Sequence, residues 1–416
     1  MLESIPHDFW RVRADDPLAL TKILDLPGMI VTRLEGEASK ERLLVFCKHD
    51  FDVAMCPTCH RLSTHIHDYS HRCVRDLNWA AWTCHLEFEA RRFYCQKCDG
   101  PFQEELEWLP RCSRLTQRYR EFVIAQCQKT TIQAVHQKQR LGYKTVERLY
   151  YRLSHEQARK IQSGLVRKLG IDEFAIKKGH ESFALALSDL EAGRVIAVLP
   201  DRKKETLLAY FDPWTPQQRA AVLEAAMDLW EPYAQAVLAR LPHAKIVADR
   251  FHVMKNLNDQ VTSARREIQG KLPEASKQTL KGCRWLLVRN HDDLSASEQE
   301  KLAAMFGVSA SLKVLHTLKE NFRKIFETDL TPEEAGPKLE AWITAVEASG
   351  LTKLTKFVST LRNRWEHILN YFTNRLTSGM VEGLNNKVKV IKRCAYGFGN
   401  FEHFALRILV ECDGTT

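Results

Sequence analysis

"LGIDEFAI" at 169–176, "SFALALSDL" at 182–190 and "VIAVLP" at 195–200 decide the architecture of the chain's second half. Each run is short, apolar and rich in strand-forming residues, and "EAGR" at 191–194 supplies a turn, so the three read as an antiparallel meander. Downstream come a helix in "KKETLLAYF" (203–211), the segment "AAVLEAAMD" (220–228), a proline-punctuated helix in "PYAQAVLARL" (232–241) and the apolar strand "AKIVAD" (244–249). The alanines of 220–228 favour a helix at least as strongly as a strand. Only topology argues for a strand there: a meander followed by strand, helix, strand forms a sheet with its first and fourth strands side by side. Asp172 would then face Asp228.

These carboxylates carry the chemistry. Asp172 sits inside the first strand among apolar neighbours, where an unpaired buried acid is costly and a bound cation would relieve the cost. An edge-strand Asp turned to solvent is an equally good reading of the local sequence. Asp249, in "VADRFHVMKNLN" (247–258), ends a clearer strand and competes with Asp228 as the second acid. With His252 three residues on, it would bind metal, orient a phosphate, or only cap the next helix. Glu382 lies in "GMVEGLNNKVKVIKR" (379–393), where Val381, Leu384, Val388 and Ile391 form an apolar stripe and Glu382, Asn386, Lys389 and Arg393 share another face. The strand order matches a ribonuclease H-like sheet.

Cys56 and Cys59 in "CPTCH", with Cys95 and Cys98 in "CQKCDG", form two CxxC knuckles suited to one tetrahedral Zn²⁺. Four thiolates leave no open position, so the ion would be structural. "CHLEFEARRFYC" (84–95) alternates like an exposed strand of a ribbon hairpin. His60, His65, His67 and His71 read as surface or phosphate-contacting residues, and the other eight cysteines as ordinary small apolar residues.

Lys and Arg outnumber Asp and Glu by 61 to 52 in 416 residues, and the excess is local: 111–168 holds fourteen basic residues against Glu121, Glu147 and Glu156. A face that basic neutralises phosphates. From Leu115 the periodicity gives two or three short helices, with Thr116 as N-cap and Gly142 at a turn before "KTVERLYYRL" (144–153), which carries Lys144, Arg148 and Arg152. This is a helix-turn-helix pattern whose last helix would enter a major groove, although a small helical bundle looks much the same. No stretch approaches the roughly 18 to 20 apolar residues of a membrane span, and no secretory signal opens the chain, so a cytoplasmic protein is expected. Between Asp249 and Glu382 the helical periodicity marks an insertion. Trp285, Trp342 and Trp365 read most simply as its core residues, and stacking on an unpaired base is the alternative.

Together, "CPTCH", "VRDL" (74–77), "RRFYCQKC" (91–98), "GIDEFAIKKGH" (170–180), "DLWEPY" (228–233), "LPHAKIVADRFHVMKNLN" (241–258), "KGCRWLL" (281–287) and "SGMVEGLNNKVKVIKRCAYGFGNFEHF" (378–404) make a chain that resembles bacterial insertion-sequence transposases of the ISL-three family over nearly its whole length. The resemblance implies a multidomain α+β/α protein. Its parts are an N-terminal region at 1–108 with a zinc ribbon at about 45–105, a helix-turn-helix domain at 109–160, a ribonuclease H-like α/β core at 165–260 and 373–416, and an all-helical insertion at 261–372. It implies a DDE transposase that cuts and joins DNA with two Mg²⁺ or Mn²⁺ ions on Asp172, Asp228 and Glu382, with Asp249 and His252 as an auxiliary motif. Carboxylates are the hard oxygen ligands such ions require. The expected partners are double-stranded DNA, at the terminal inverted repeats and the target, and a second copy of the chain, in the bacterial cytoplasm at the nucleoid. Arg91, Arg92, Lys389 and Arg393 are expected on phosphates, and Lys144, Arg148 and Arg152 on the repeat. A zinc-ribbon and helix-turn-helix regulator would leave the acids idle, and a domesticated transposase would lack strand transfer.

Overall fold

The computed structural model describes residues 9–13, 17–176, 183–280, 284–376, 379–394 and 400–412; among these, the side chains of 9–13, 17–18, 275, 278–279, 379–382, 384–385 and 394 are outside the description. The chain divides into two compact units, Met1–Leu153 and Ser154–Thr416.

In the first unit a six-stranded sheet runs Phe9–Arg13, Met29–Glu37, Arg42–His49, Thr83–Cys95, Ile66–Arg75, with Gly100–Gln103 also paired to Thr83–Cys95. Val31, Val45, Val74, Leu86, Phe88 and Trp108 fill its core. The strand expected to lie exposed is instead an interior one, paired on both sides. Thr83–Cys95 is parallel to Arg42–His49 on one side and antiparallel to Ile66–Arg75 on the other, and most of its residues are buried on both faces. A strand covered this way needs no clean alternation.

The helices that follow are Gln117–Lys129, Ile132–Gln139 and Tyr143–Gln162. Thr116 caps the first by accepting from Tyr119 N, and its hydroxyl donates to buried Asp76 at 2.6 Å. Arg118 Nε donates to the same carboxylate at 2.9 Å, and Arg75 N bonds Arg114 O at 2.8 Å. The "VRDL" segment therefore ties the first helix to the end of a sheet strand.

In the second unit the strands are Lys168–Ala175, Phe183–Asp189, Arg194–Leu199, Glu224–Met227 and Lys245–Ala248. In space they run third, second, first, fourth, fifth; the first three are antiparallel neighbours, and the first, fourth and fifth are mutually parallel. The alanine-rich segment is a strand because all four of its residues are buried between two parallel neighbours, and that burial outweighs alanine's helical preference. Gly170 lies close to Leu190: a Cβ there would come 2.8 Å from Leu190 Cδ2 and would displace that side chain.

Helices Lys204–Phe211 and Glu231–Arg240 share a core with Leu169, Ile171, Leu185 and Leu187. Trp365–Asn374 lies along the fifth strand, Asn370 Nδ2 donating to Ile246 O at 2.9 Å, and Phe401–Glu411 covers Arg194–Leu199. Arg250–Gly270, Ala296–Val308, Ala310–Glu327, Pro332–Ala348 and Thr355–Asn363 build the helical body around Leu257, Phe322, Trp342 and Phe357. Trp342 is buried there with its Nε1 on Leu318 O at 2.7 Å, and Trp365 is half-buried. Trp285 is not a core residue: it is 61% exposed, under the Arg284 guanidinium. Cys112 is likewise exposed, and Cys283 lies outside the described residues. No described helix is long and apolar enough to cross a membrane.

Candidate active site

The parallel register of the second unit sets three acids side by side. Ile171 pairs with Met227 and Met227 with Ala248, so the next residue on each strand, Asp172, Asp228 and Asp249, falls at the same level of the sheet. Carboxyl ends of parallel strands are where open α/β sheets hold ligands. His252, in the first turn of Arg250–Gly270, reaches back across this row: its Nε2 lies 3.5 Å from Asp172 Oδ1 and 3.8 Å from Asp249 Oδ2. Asp249 is 1% exposed and also caps its helix, Oδ1 accepting from Phe251 N at 3.2 Å. Capping and membership of the cluster are thus compatible. Asp228 Oδ1 accepts from Trp230 N at 2.8 Å.

The electrostatics follow from this crowding. Burial pushes the Asp228 carboxyl above the usual carboxylate range, and the negative charges of Glu173 and Asp172 add to the push against the Trp230 N–H and His252. For His252, burial disfavours the charged ring, but its hydrogen bond to Asp172 and the charges of Asp249, Asp172 and Asp228 outweigh that, so its pKa lies above the ordinary value. The imidazolium is a counter-charge among acids that a divalent cation would otherwise neutralise. Carboxylate oxygens are the hard donors that Mg²⁺ or Mn²⁺ takes, but no three ligand atoms among Asp172, Asp228, Asp249 and His252 lie within 4.8 Å of one another. Glu382 lies in the helix Gly379–Cys394, which runs beside the first core strand, Lys392 Nζ reaching Ala175 O at 3.4 Å; the Glu382 side chain is outside the described residues.

The sequence reading missed a second row. Glu173 accepts from Tyr233 Oη at 2.6 Å and pairs with Arg202 at 3.5 Å. The Arg202 guanidinium lies over the Phe183 and Trp230 rings, 4.9 and 5.8 Å from their centroids. The acidic pair Asp172–Glu173 within one strand was the available signal.

In the first unit the ligand atoms of Cys56, Cys59, Cys95 and Cys98 all lie within 4.8 Å of one another, the only group of three or more potential metal ligands so close among the described residues. The Cys59 amide holds the Cys56 thiol down at about 6, while hydrogen bonding to Cys59 pushes Cys98 up to about 12. Four sulfurs this close ionise together only around a cation, and four soft ligands fit Zn²⁺.

The basic residues divide. Lys144, Arg148 and Arg152 are exposed at four-residue spacing on Tyr143–Gln162, opposite buried Val146 and Tyr150; Lys144 Nζ pairs with Glu147 at 2.7 Å. Lys389 and Arg393 are exposed on a face away from buried Val388 and Ile391. Arg92 is part-exposed and pairs with Asp68 at 3.2 Å. Arg91 is not a surface residue. Only 4% exposed, it is held by Glu104 at 2.8 and 3.0 Å, Asp52 at 3.0 Å and Phe51 O at 2.7 Å, so its charge is spent inside the protein. The two adjacent arginines of "RR" point to opposite faces of a strand, and only one reaches solvent.

Comparison with known proteins adds the following. An ISL3 family model described as a transposase matches residues 169–408, and one described as the zinc finger of the IS204/IS1001/IS1096/IS1165 transposases matches residues 52–98. The transposase for insertion sequence element IS1001 of Bordetella parapertussis is 30% identical over 391 residues, covering 93% of this chain and 96% of the relative. The transposase for insertion sequence element IS1557 of Mycobacterium tuberculosis is 26% identical over 351 residues, 78% of each chain.

Proposed function

The chain belongs to the ISL3 family of insertion-sequence transposases, and from that premise we propose that it binds the terminal inverted repeats of its element, cuts DNA strands there and joins the freed ends to target DNA by a DDE mechanism. The observation that carries this reading is the row of Asp172, Asp228 and Asp249 at the level where the parallel pairing of three strands ends, with His252 reaching across it.

The five-stranded order of the second unit supports a ribonuclease H-like core, and the three helices after Thr116 support a helix-turn-helix reader. Asp172, Asp228 and Glu382 would hold two Mg²⁺ or Mn²⁺ ions, with Asp249 and His252 as auxiliary groups. Bound there, the ions supply charge neutralisation for the attacking oxygen, the leaving oxygen and the phosphoryl group. Water attacks the scissile phosphorus and the P–O bond to the 3′ oxygen breaks. The 3′-hydroxyl so freed attacks a target phosphodiester, one diester forming as another breaks, so no external energy source enters. His252 orients the Asp172 and Asp249 carboxylates and holds a proton beside them. Arg148 and Arg152 meet the repeat, with Lys144 beside them, and Arg92, Lys389 and Arg393 meet phosphates. Cys56, Cys59, Cys95 and Cys98 would hold a Zn²⁺ that ties the ribbon's two knuckles together. Two ends must be joined, so the working species at the nucleoid is at least a dimer.

Cleavage of inverted-repeat DNA by Asp228→Asn and Asp249→Asn separates the two candidates for the second acid. Asp228→Asn is expected to abolish cutting with DNA binding intact, and Asp249→Asn to leave measurable cutting. The reverse pattern would move the metal ligand to Asp249.

A further inference from the structure

Several aromatic rings are exposed among the described residues, Phe51, Tyr69 and Trp285 among them. Two more belong to residues whose main chain is bonded to the acid row. Trp230 is 47% exposed and Phe251 is 56% exposed. Each follows an acid by two residues and is fixed by it through the main chain: Trp230 N donates to Asp228 Oδ1 at 2.8 Å, and Phe251 N to Asp249 Oδ1 at 3.2 Å. Those bonds would form with any residue at 230 or 251, so they do not account for the rings. Neighbours steady both: Arg202 lies over Trp230 at 5.8 Å, and His252 meets Phe251 edge-on with centroids 5.3 Å apart.

The acids lie deeper than the rings. The side chains of Asp249, Asp172 and His252 are 2%, 13% and 24% exposed. A phosphodiester bound at Asp172 would sit below the exposed rings, and a base drawn out of its stack there would need a new partner. An aromatic ring face replaces such a stack whatever the base identity. Resting on the proposed DNA-cutting function, we infer that Trp230 and Phe251 are base-stacking residues that hold an unpaired nucleobase next to the scissile phosphate. Arg202 fixes the Trp230 ring and presents its positive charge to the same strand.

The test uses the full-length protein, the variants Trp230→Ala, Phe251→Ala and Trp230→Phe, and two duplexes of the inverted repeat, one fully paired and one with unpaired terminal nucleotides. Binding is read by fluorescence anisotropy in Ca²⁺, and cutting in Mg²⁺. Each Ala variant is expected to bind the unpaired end about 5- to 150-fold more weakly, with Trp230→Phe close to wild type. Cutting of the paired end is expected to fall by a similar factor, and by less on the pre-unpaired end. Ala variants that bind and cut both duplexes within about twofold of wild type would overturn the inference while leaving the DNA-cutting function intact. So would unchanged DNA binding with loss of self-association in sedimentation, which would make the rings a protein interface. A wild type that cuts neither duplex, with the Ala variants still losing affinity for the unpaired end, would sink the proposed function and keep the stacking.

Discussion

Single residues separate charge that stabilises the fold from charge that is available to a partner. Arg91 and Arg92 are indistinguishable in sequence, yet Arg91 is enclosed by Glu104, Asp52 and a carbonyl while Arg92 reaches solvent. Removing one member of a buried pair strands the other, so Arg91→Ala is expected to cost on the order of 3–5 kcal/mol in a denaturant melt. Arg148→Ala, on an exposed helix face, should leave the melt within about 0.5 kcal/mol and weaken binding of repeat DNA, with a shallower salt dependence. Equal melting of the two variants would contradict the assignment. Asp249 and His252 were legible from a clear strand end and helix start, Asp172 as an acid inside an apolar strand, and Asp228 only through the topology of the sheet. Glu173 was not, because its role comes from Tyr233 and Arg202, distant in the chain, and no local pattern reports such a meeting.

Among the elements, the meander and the strand "AKIVAD" followed directly from apolar runs and turn residues, whereas Glu224–Met227 needed the sheet's topology to override alanine's preference. The strands Met29–Glu37 and Arg42–His49 went unread, and with them the partner that buries Thr83–Cys95; their alternation was the available signal. Helices Tyr143–Gln162, Arg250–Gly270 and Trp365–Asn374 run through positions 160, 260 and 372, so boundaries expected there are not breaks in secondary structure. Helix Ala310–Glu327 carries a buried polar face that hydrophobic periodicity alone would not foretell. Lys319 Nζ donates to Arg289 O at 2.6 Å, Arg323 pairs with Glu320 and Asp292, and His316 is 5% exposed. Burial, with Lys319 nearby, lowers His316 to about 4 from the ordinary 6.5. The folded state therefore refuses a proton that the unfolded chain accepts, so stability present above pH 6.5 is lost as pH falls toward 4. His316 alone accounts for on the order of 3 kcal/mol of that loss. His316→Leu should flatten the fall in melting temperature between pH 6.5 and 4, and an unchanged profile would contradict this origin.

At the scale of the whole molecule the proposed function assigns separate tasks to the two units. The ribbon of the first unit should hold one Zn²⁺ per chain, measurable by native mass spectrometry. Cys59→Ser is expected to lose the ion and end binding while the helical far-ultraviolet signal of the second unit persists; full zinc occupancy in that variant would contradict the four-cysteine site. The second unit should hold the chemistry, and the central claim of the proposed function is that carboxylates at one level of its parallel strands support metal-dependent strand cutting. The most direct measurement is cleavage of DNA bearing the inverted repeats that flank this gene, in Mg²⁺ or Mn²⁺, by wild type and Asp172→Asn. The account predicts cuts at the element ends by wild type, none without a divalent ion, and none by Asp172→Asn despite equal binding of the repeat. Specific binding by wild type without any cutting, or undiminished cutting by Asp172→Asn, would contradict it.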